Sequence, residues 1–175
     1  MPGDLVGDVT PPVGVLFVCL GNICRSPTAE GVFRHRVAKD GLAEHVTTDA
    51  AGTGDWHIGK PPHRDTMQAA KRRGYDLSRL RARLVTPKDF DRFPVILAMD
   101  RSNLANLSRM RPSGFKGHLG LFLDFAPDQP IREMPDPYGG GREDFDRVLD
   151  LVEQGVDGLL KSLRLQGIDG APGSR

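Results

Sequence analysis

Cysteine is scarce. Cys19 and Cys24 are the only two in 175 residues, with four residues between them. A disulfide-stapled scaffold is excluded, and a reducing compartment is implied. Neither sign of charge is in excess: 24 Lys+Arg stand against 23 Asp+Glu, for a formal net charge of +1. That excludes a strongly basic nucleic-acid binder and an acidic tail protein. No apolar run approaches the ~18 residues of a membrane span. No cationic start followed by a long apolar stretch marks a secretory leader. The expectation is a cytoplasmic protein that engages neither membrane nor nucleic acid. The five histidines show no close metal-ligand spacing, so neither metal nor cofactor is expected.

What is present describes a globular α/β chain. Hydrophobic residues make up 38% and charged residues 27%, and a chain of this length buries roughly 70% of its unfolded surface. Residues 1–12 carry Pro and Gly but little apolar pattern, and read as a disordered extension. Residues 166–175 read as a disordered tail, leaving 13–165 as one domain. Val13 to Val18 is an apolar run suited to a buried parallel strand, and Val46 to Ala51 and Pro94 to Met99 read as further strands. Gly117 to Phe125 is ambiguous and has room for a fourth. Helical patterns alternate with these runs. One starts at Ser26 as N-cap with Pro27 in the first turn, one spans Pro62 to Arg73 and stops at Gly74, and one spans Arg101 to Arg111. Phe145, Val148, Leu149, Val152, Val156, Leu159, Leu160 and Leu163 form one stripe of a long last helix. The alternation predicts a parallel sheet with helices on both faces, with ligands bound beyond the carboxyl ends of the strands.

Directly after the first strand comes Cys19-Leu20-Gly21-Asn22-Ile23-Cys24-Arg25-Ser26-Pro27. A loop of this size, ending in a helix N-terminus, can turn backbone N–H groups inward as a cradle for a tetrahedral anion. Arg25 adds a planar fork suited to phosphate oxygens. The Cys19 thiol would lie at the bottom of that cradle, where the field favours the thiolate, a nucleophile for phosphorus. Ser26 is placed to hydrogen-bond that sulfur. Gly21 permits close backbone approach, and Asn22 tolerates a left-handed backbone.

This string resembles the phosphate loop of the low-molecular-weight protein tyrosine phosphatases. The resemblance extends over roughly Val13 to Leu163, through Asp55-Trp56, Ala98-Met99-Asp100 and Asp136-Pro137-Tyr138. It implies a four-stranded parallel sheet with the phosphate-binding loop between the first strand and first helix. It also implies hydrolysis of phosphotyrosine in proteins, and of small aryl phosphates, through a cysteinyl-phosphate. Cys19 would be the nucleophile and Arg25 the phosphate clamp, with Asp136 first the general acid and then the base. The loop residues Leu20, Gly21, Asn22, Ile23, Cys24 and Ser26 would bind the phosphate. Trp56 and Tyr138 would form walls of a slot for a phenyl ring. Cys24 would trap oxidised Cys19 as a reversible disulfide. Partners would be tyrosine-phosphorylated proteins, and the chain a monomer or weak homodimer.

Two departures stand out. Tyr138 is followed by Gly139-Gly140-Gly141 where many relatives carry a second aromatic, so one wall is thinner. Leu80 lies near the place of a histidine that precedes the Ala82-Arg83 pair in many relatives, so any bond from it to Asn22 must be replaced or absent. Two other activities fit the same cradle. Thiol-coupled arsenate reductases need a relay of further cysteines that this chain lacks. Protein-arginine phosphatases carry Thr where Ile23 stands here, and a branched apolar side chain suits a flat ring better than a guanidinium. Arg72-Arg73 and Arg79 to Arg83 form a basic stretch that reads as a solvated face or a steering patch for acidic phosphopeptides.

Overall fold

The strand VGVLFVC forms β1 (Val13–Cys19), and all seven of its residues are buried. A strand with no polar alternation must be covered on both faces, and β1 is. A computed structural model, describing residues 3–7 and 9–169, shows how. β1 is central in an all-parallel sheet of order β2-β1-β3-β4, with β2 Val46–Gly52, β3 Val95–Ala98 and β4 His118–Leu121. The ambiguous segment therefore holds the fourth strand, continued by a 3-10 turn at Phe122–Phe125.

Successive side chains of β1 point to opposite faces. Val13, Val15, Phe17 and Cys19 join one core, with α1 (Arg25–Lys39) and residues of the last helix. Phe17 packs edge-on against Phe33 and Phe122, at centroid distances of 5.6 and 5.5 Å. Leu16 and Val18 join a second core. It holds Phe90 from α3 (Asp89–Arg92), Phe93 just beyond it, and Leu107 from α4 (Arg101–Met110). Helix α2 (Arg64–Arg72) and α5 (Arg142–Leu165) complete the first face. The expected two-faced α/β architecture is thus present.

Three local expectations are corrected. Ser26 is not the N-cap of α1: the helix starts at Arg25 with Cys24 at the cap position, and no side chain caps it. Pro27 still lies in the first turn, where an N–H is not needed. Ser26 is buried, its hydroxyl engaged with the loop instead. The second helix begins at Arg64 rather than Pro62, with His63 as its cap. Leu5 and Val6, expected to be loose, are docked, while the expectation for residues 1, 2 and 8 lies outside the described residues. Leu5 is buried, and the side-chain oxygen of Gln166 accepts from the N–H groups of Leu5 at 2.7 Å and Val6 at 2.9 Å. Ile168 in the tail is also buried. The expectation for residues 170–175 lies outside the described residues.

Candidate active site

The strand order reverses between β1 and β3, so their carboxyl ends open a crevice at the switch point. The loop 20–24 leaves β1 there and is folded tightly against β2. The N–H of Thr53 donates to the Cys19 carbonyl at 3.0 Å, and that of Gly54 to the Leu20 carbonyl at 2.8 Å. Gly52 makes this approach possible, since a Cβ on it would lie 2.7 Å from the Leu20 carbonyl oxygen.

Asn22 holds the loop from within. It has φ of +57°, the left-handed conformation that asparagine tolerates better than most residues. Its N–H points at Cys19 Sγ, 3.3 Å away. Its side-chain nitrogen donates to Ser26 Oγ at 2.8 Å, and Ser26 Oγ lies 3.0 Å from Cys19 Sγ. A thiolate there would receive the hydroxyl proton as a hydrogen bond. The Asn22 carbonyl oxygen accepts from the backbone N–H of Arg83 at 3.0 Å. This answers the question raised by Leu80: a main-chain donor fixes the amide. Arg83 is itself fixed. Its guanidinium meets Asp49 at 3.0 Å and both oxygens of the buried Asp89, at 3.0 and 2.9 Å.

Arg25 is buried beneath the crevice. Burial alone would weaken its charge, but the Cys19 sulfur and Asp100 outweigh it and hold the guanidinium above its ordinary pKa. Arg25 donates to Asp100 at 2.7 Å and to the Met134 carbonyl at 3.2 Å, and lies 3.6 Å from the Asp136 carboxylate. Asp100 also caps α4 through the N–H of Asn103 at 2.8 Å. Both Arg25 hydrogen bonds hold Nη1, which fixes the orientation of the guanidinium plane.

These elements enclose a cleft of about 320 Å³. The buried Cys19, Ile23, Cys24 and Arg25 form its floor, and Leu20, Gly21, Trp56, Asp136 and Tyr138 line it nearer to solvent. Trp56 and Tyr138 are 65% and 61% exposed, so their rings offer apolar surface at the mouth. Asn22 and Ser26 lie under the floor, bonded to the sulfur rather than facing the cleft. Nine of the eleven expected site residues therefore line one cleft; Asn22 and Ser26, expected to bind the phosphate, do not line it and instead hold the Cys19 sulfur. Cys24 is buried too. Desolvation pushes its thiol up to about 12, with the Cys19 sulfur adding to the rise.

Four participants were not anticipated. Asp100 carried a signal, as a carboxylate ending a strand at the switch point. Arg83 carried a weaker one, in the basic stretch. His57 lines the cleft beside Trp56, its ring edge 3.0 Å from where a Cβ on Gly21 would stand. His63 donates its backbone N–H to the Ile23 carbonyl at 2.8 Å. Neither histidine bore any mark in the sequence. Arg72 and Arg73 are not free to steer substrate, being paired with Asp146, Asp150 and Glu153 of α5.

Fold and site define a doubly wound parallel α/β protein with a cysteine and an arginine in one loop at the switch point. Comparison with known proteins narrows the class. The model of the low molecular weight phosphotyrosine protein phosphatase family matches residues 14–167, and the chain belongs to that family. It is 44% identical over 154 residues to the low molecular weight protein-tyrosine-phosphatase YfkJ of Bacillus subtilis, covering 87% of this chain and 96% of the relative. A protein tyrosine phosphatase from Entamoeba histolytica superposes with a TM-score of 0.82 at 37% identity, over 87% of this chain and 97% of that one. A Drosophila arginine phosphatase has the same fold, with a TM-score of 0.77 at 30% identity over 84% and 95% of the two chains.

Proposed function

We propose that this protein hydrolyses phosphotyrosine in proteins, and small aryl phosphates, through a cysteinyl-phosphate. The observation that carries the reading is the convergence of Cys19, Arg25 and Asp136 on one cleft walled by Trp56 and Tyr138. In the first step Cys19 Sγ attacks phosphorus in line. The S–P bond forms as the P–O bond to the aryl group breaks, and Asp136 gives its proton to the leaving oxygen. Arg25 and the amides at the start of α1 stabilise the equatorial oxygens. In the second step Asp136 takes a proton from water, the water oxygen attacks phosphorus, and the S–P bond breaks to release phosphate and the thiolate. Ser26 and the Asn22 N–H stabilise that departing sulfur. The aromatic rim of Trp56 and Tyr138 over a floor holding Cys19 and Arg25 suits an aryl ester. The substrates are tyrosine-phosphorylated proteins, met in the cytoplasm by a monomer or weak homodimer.

The test is hydrolysis of para-nitrophenyl phosphate beside esters with poorer leaving groups. Cys19→Ser is expected to abolish turnover while retaining phosphate affinity. Asp136→Ala is expected to slow the poorest leaving groups by about 10²–10⁴-fold and good ones far less. An equal loss across leaving groups would remove Asp136 from the role of acid. Turnover of phosphoarginine without turnover of aryl phosphates would move the assignment to a protein-arginine phosphatase.

A further inference from the structure

The Tyr138 wall is weakly supported by its own chain. It runs straight into Gly139-Gly140-Gly141, with Gly139 at φ +82°. The hydrogen bonds of this segment are local. Tyr138 N–H meets Asp136 Oδ1 at 3.1 Å, Gly140 N–H meets the Pro137 carbonyl at 2.8 Å, and Gly141 N–H meets the Asp144 carboxylate at 2.8 Å. Three consecutive glycines add no stiffness. Two imidazoles reach the Tyr138 ring from elsewhere. His57 lies 6.4 Å away and tilted, whereas His63 lies 5.6 Å away at 75°, in edge-to-face contact.

His63 is tied to everything around it. Its backbone N–H is held by the Ile23 carbonyl of the phosphate loop. Its Nδ1 accepts from the Asp65 N–H at 3.1 Å, capping α2. In the neutral ring this leaves the proton on Nε2. Its ring also stacks on Phe145 near the start of α5, at 5.4 Å and 19°. One residue thus joins the loop, two helices and the wall.

We propose that His63 is a positioning residue for specificity: it holds Tyr138 at the cleft mouth, so that the ring of an aryl phosphate is gripped and not its phosphate alone. This rests on the aryl-phosphate reading above. Its cap and its ring can be separated by substitution. His63→Asn keeps a capping acceptor and loses the ring; His63→Phe keeps the ring and loses the cap.

The experiment titrates the full-length protein with benzylphosphonate and, separately, with inorganic phosphate. It is read by the fluorescence of Trp56, the single tryptophan. His63→Asn is expected to weaken benzylphosphonate about three- to tenfold, with little change for inorganic phosphate. Its KM for para-nitrophenyl phosphate should rise by a similar factor, more than kcat falls. His63→Phe is expected to keep aryl affinity while its Tm drops by about 2–4 °C. Wild-type aryl affinity in His63→Asn would overturn the proposal. So would an equal loss for both ligands, which would make His63 a support of the loop only. If the unmodified protein itself neither prefers benzylphosphonate over phosphate nor hydrolyses the aryl ester, the function reading fails first and the proposal falls with it.

Discussion

Cys19 and Cys24 share one loop and differ in chemistry. Cys24 lines the same cleft, but burial pushes its thiol up to about 12, which disfavours its thiolate near neutral pH. Cys19 sits on the cleft floor with donors aimed at its sulfur. Alkylation of the native protein by iodoacetamide near neutral pH is therefore expected at Cys19, blocked by phosphate, with Cys24 labelled only after unfolding. Peptide mapping checks this. Labelling of Cys24 at a comparable rate in the native state would contradict the upward push on its thiol pKa. Cys19 and Arg25 are legible in the sequence because an anion cradle after a strand requires those side chains in one loop, whereas Asp136 is legible only through the family resemblance. Arg83 and His63 are not. Arg83 supports Asn22 through a main-chain N–H, and His63 is tied to the loop through another. A backbone donor leaves no trace in residue type.

At the scale of elements, α5 shows where pattern suffices and where it does not. Its apolar stripe was plain in the sequence, yet the helix carries Gly155 and Gly158, poor helix formers. Packing explains them. A Cβ on Gly155 would lie 2.4 Å from the Phe122 ring, and one on Gly158 only 1.7 Å from the Phe125 carbonyl oxygen. The 3-10 turn lies directly against the helix. Helix propensity alone predicts that Gly158→Ala gains about 1 kcal/mol. Contact with backbone, which cannot rotate away, predicts a net loss of about 1–3 kcal/mol. We expect the second sign, seen as a lower Tm; a stabilised Gly158→Ala would mean that the turn can move off the helix. The same distinction explains what was missed among the elements. The four residues of α3 are too few to show a period. The true start of α1 was hidden because Ser26, a strong capping residue, spends its hydroxyl on the nucleophile's network instead.

For the whole molecule, charge is nearly balanced at pH 7, and between pH 7.5 and 5.0 most carboxylates stay ionised, so overall repulsion grows little over that range. Particular buried groups decide the response. Glu30 is buried, and desolvation raises its carboxyl above the ordinary range despite its bond to Arg34. The folded state therefore holds that proton more tightly than the unfolded chain, and acidification relieves a penalty there. His118 on β4 works the other way. Burial lowers its pKa, with Asp124 opposing, and its Nε2 has no hydrogen-bond partner among the described residues. Below the ordinary histidine value of ~6.5 the unfolded chain takes up the proton more readily. The stability that His118 supplies as a neutral ring, packed edge-on against Phe125 at 6.0 Å, is complete above that value. It is lost as pH falls toward the folded value. Urea midpoints measured from pH 7.5 to 5.0 should therefore decline on the acid side in the wild type. The decline should be shallower in His118→Leu, which keeps an apolar contact and removes the proton site. Parallel declines in the two proteins would place the acid sensitivity elsewhere. A shallower one would locate it at the edge strand, where the sheet's last pairing meets the 3-10 turn that α5 covers.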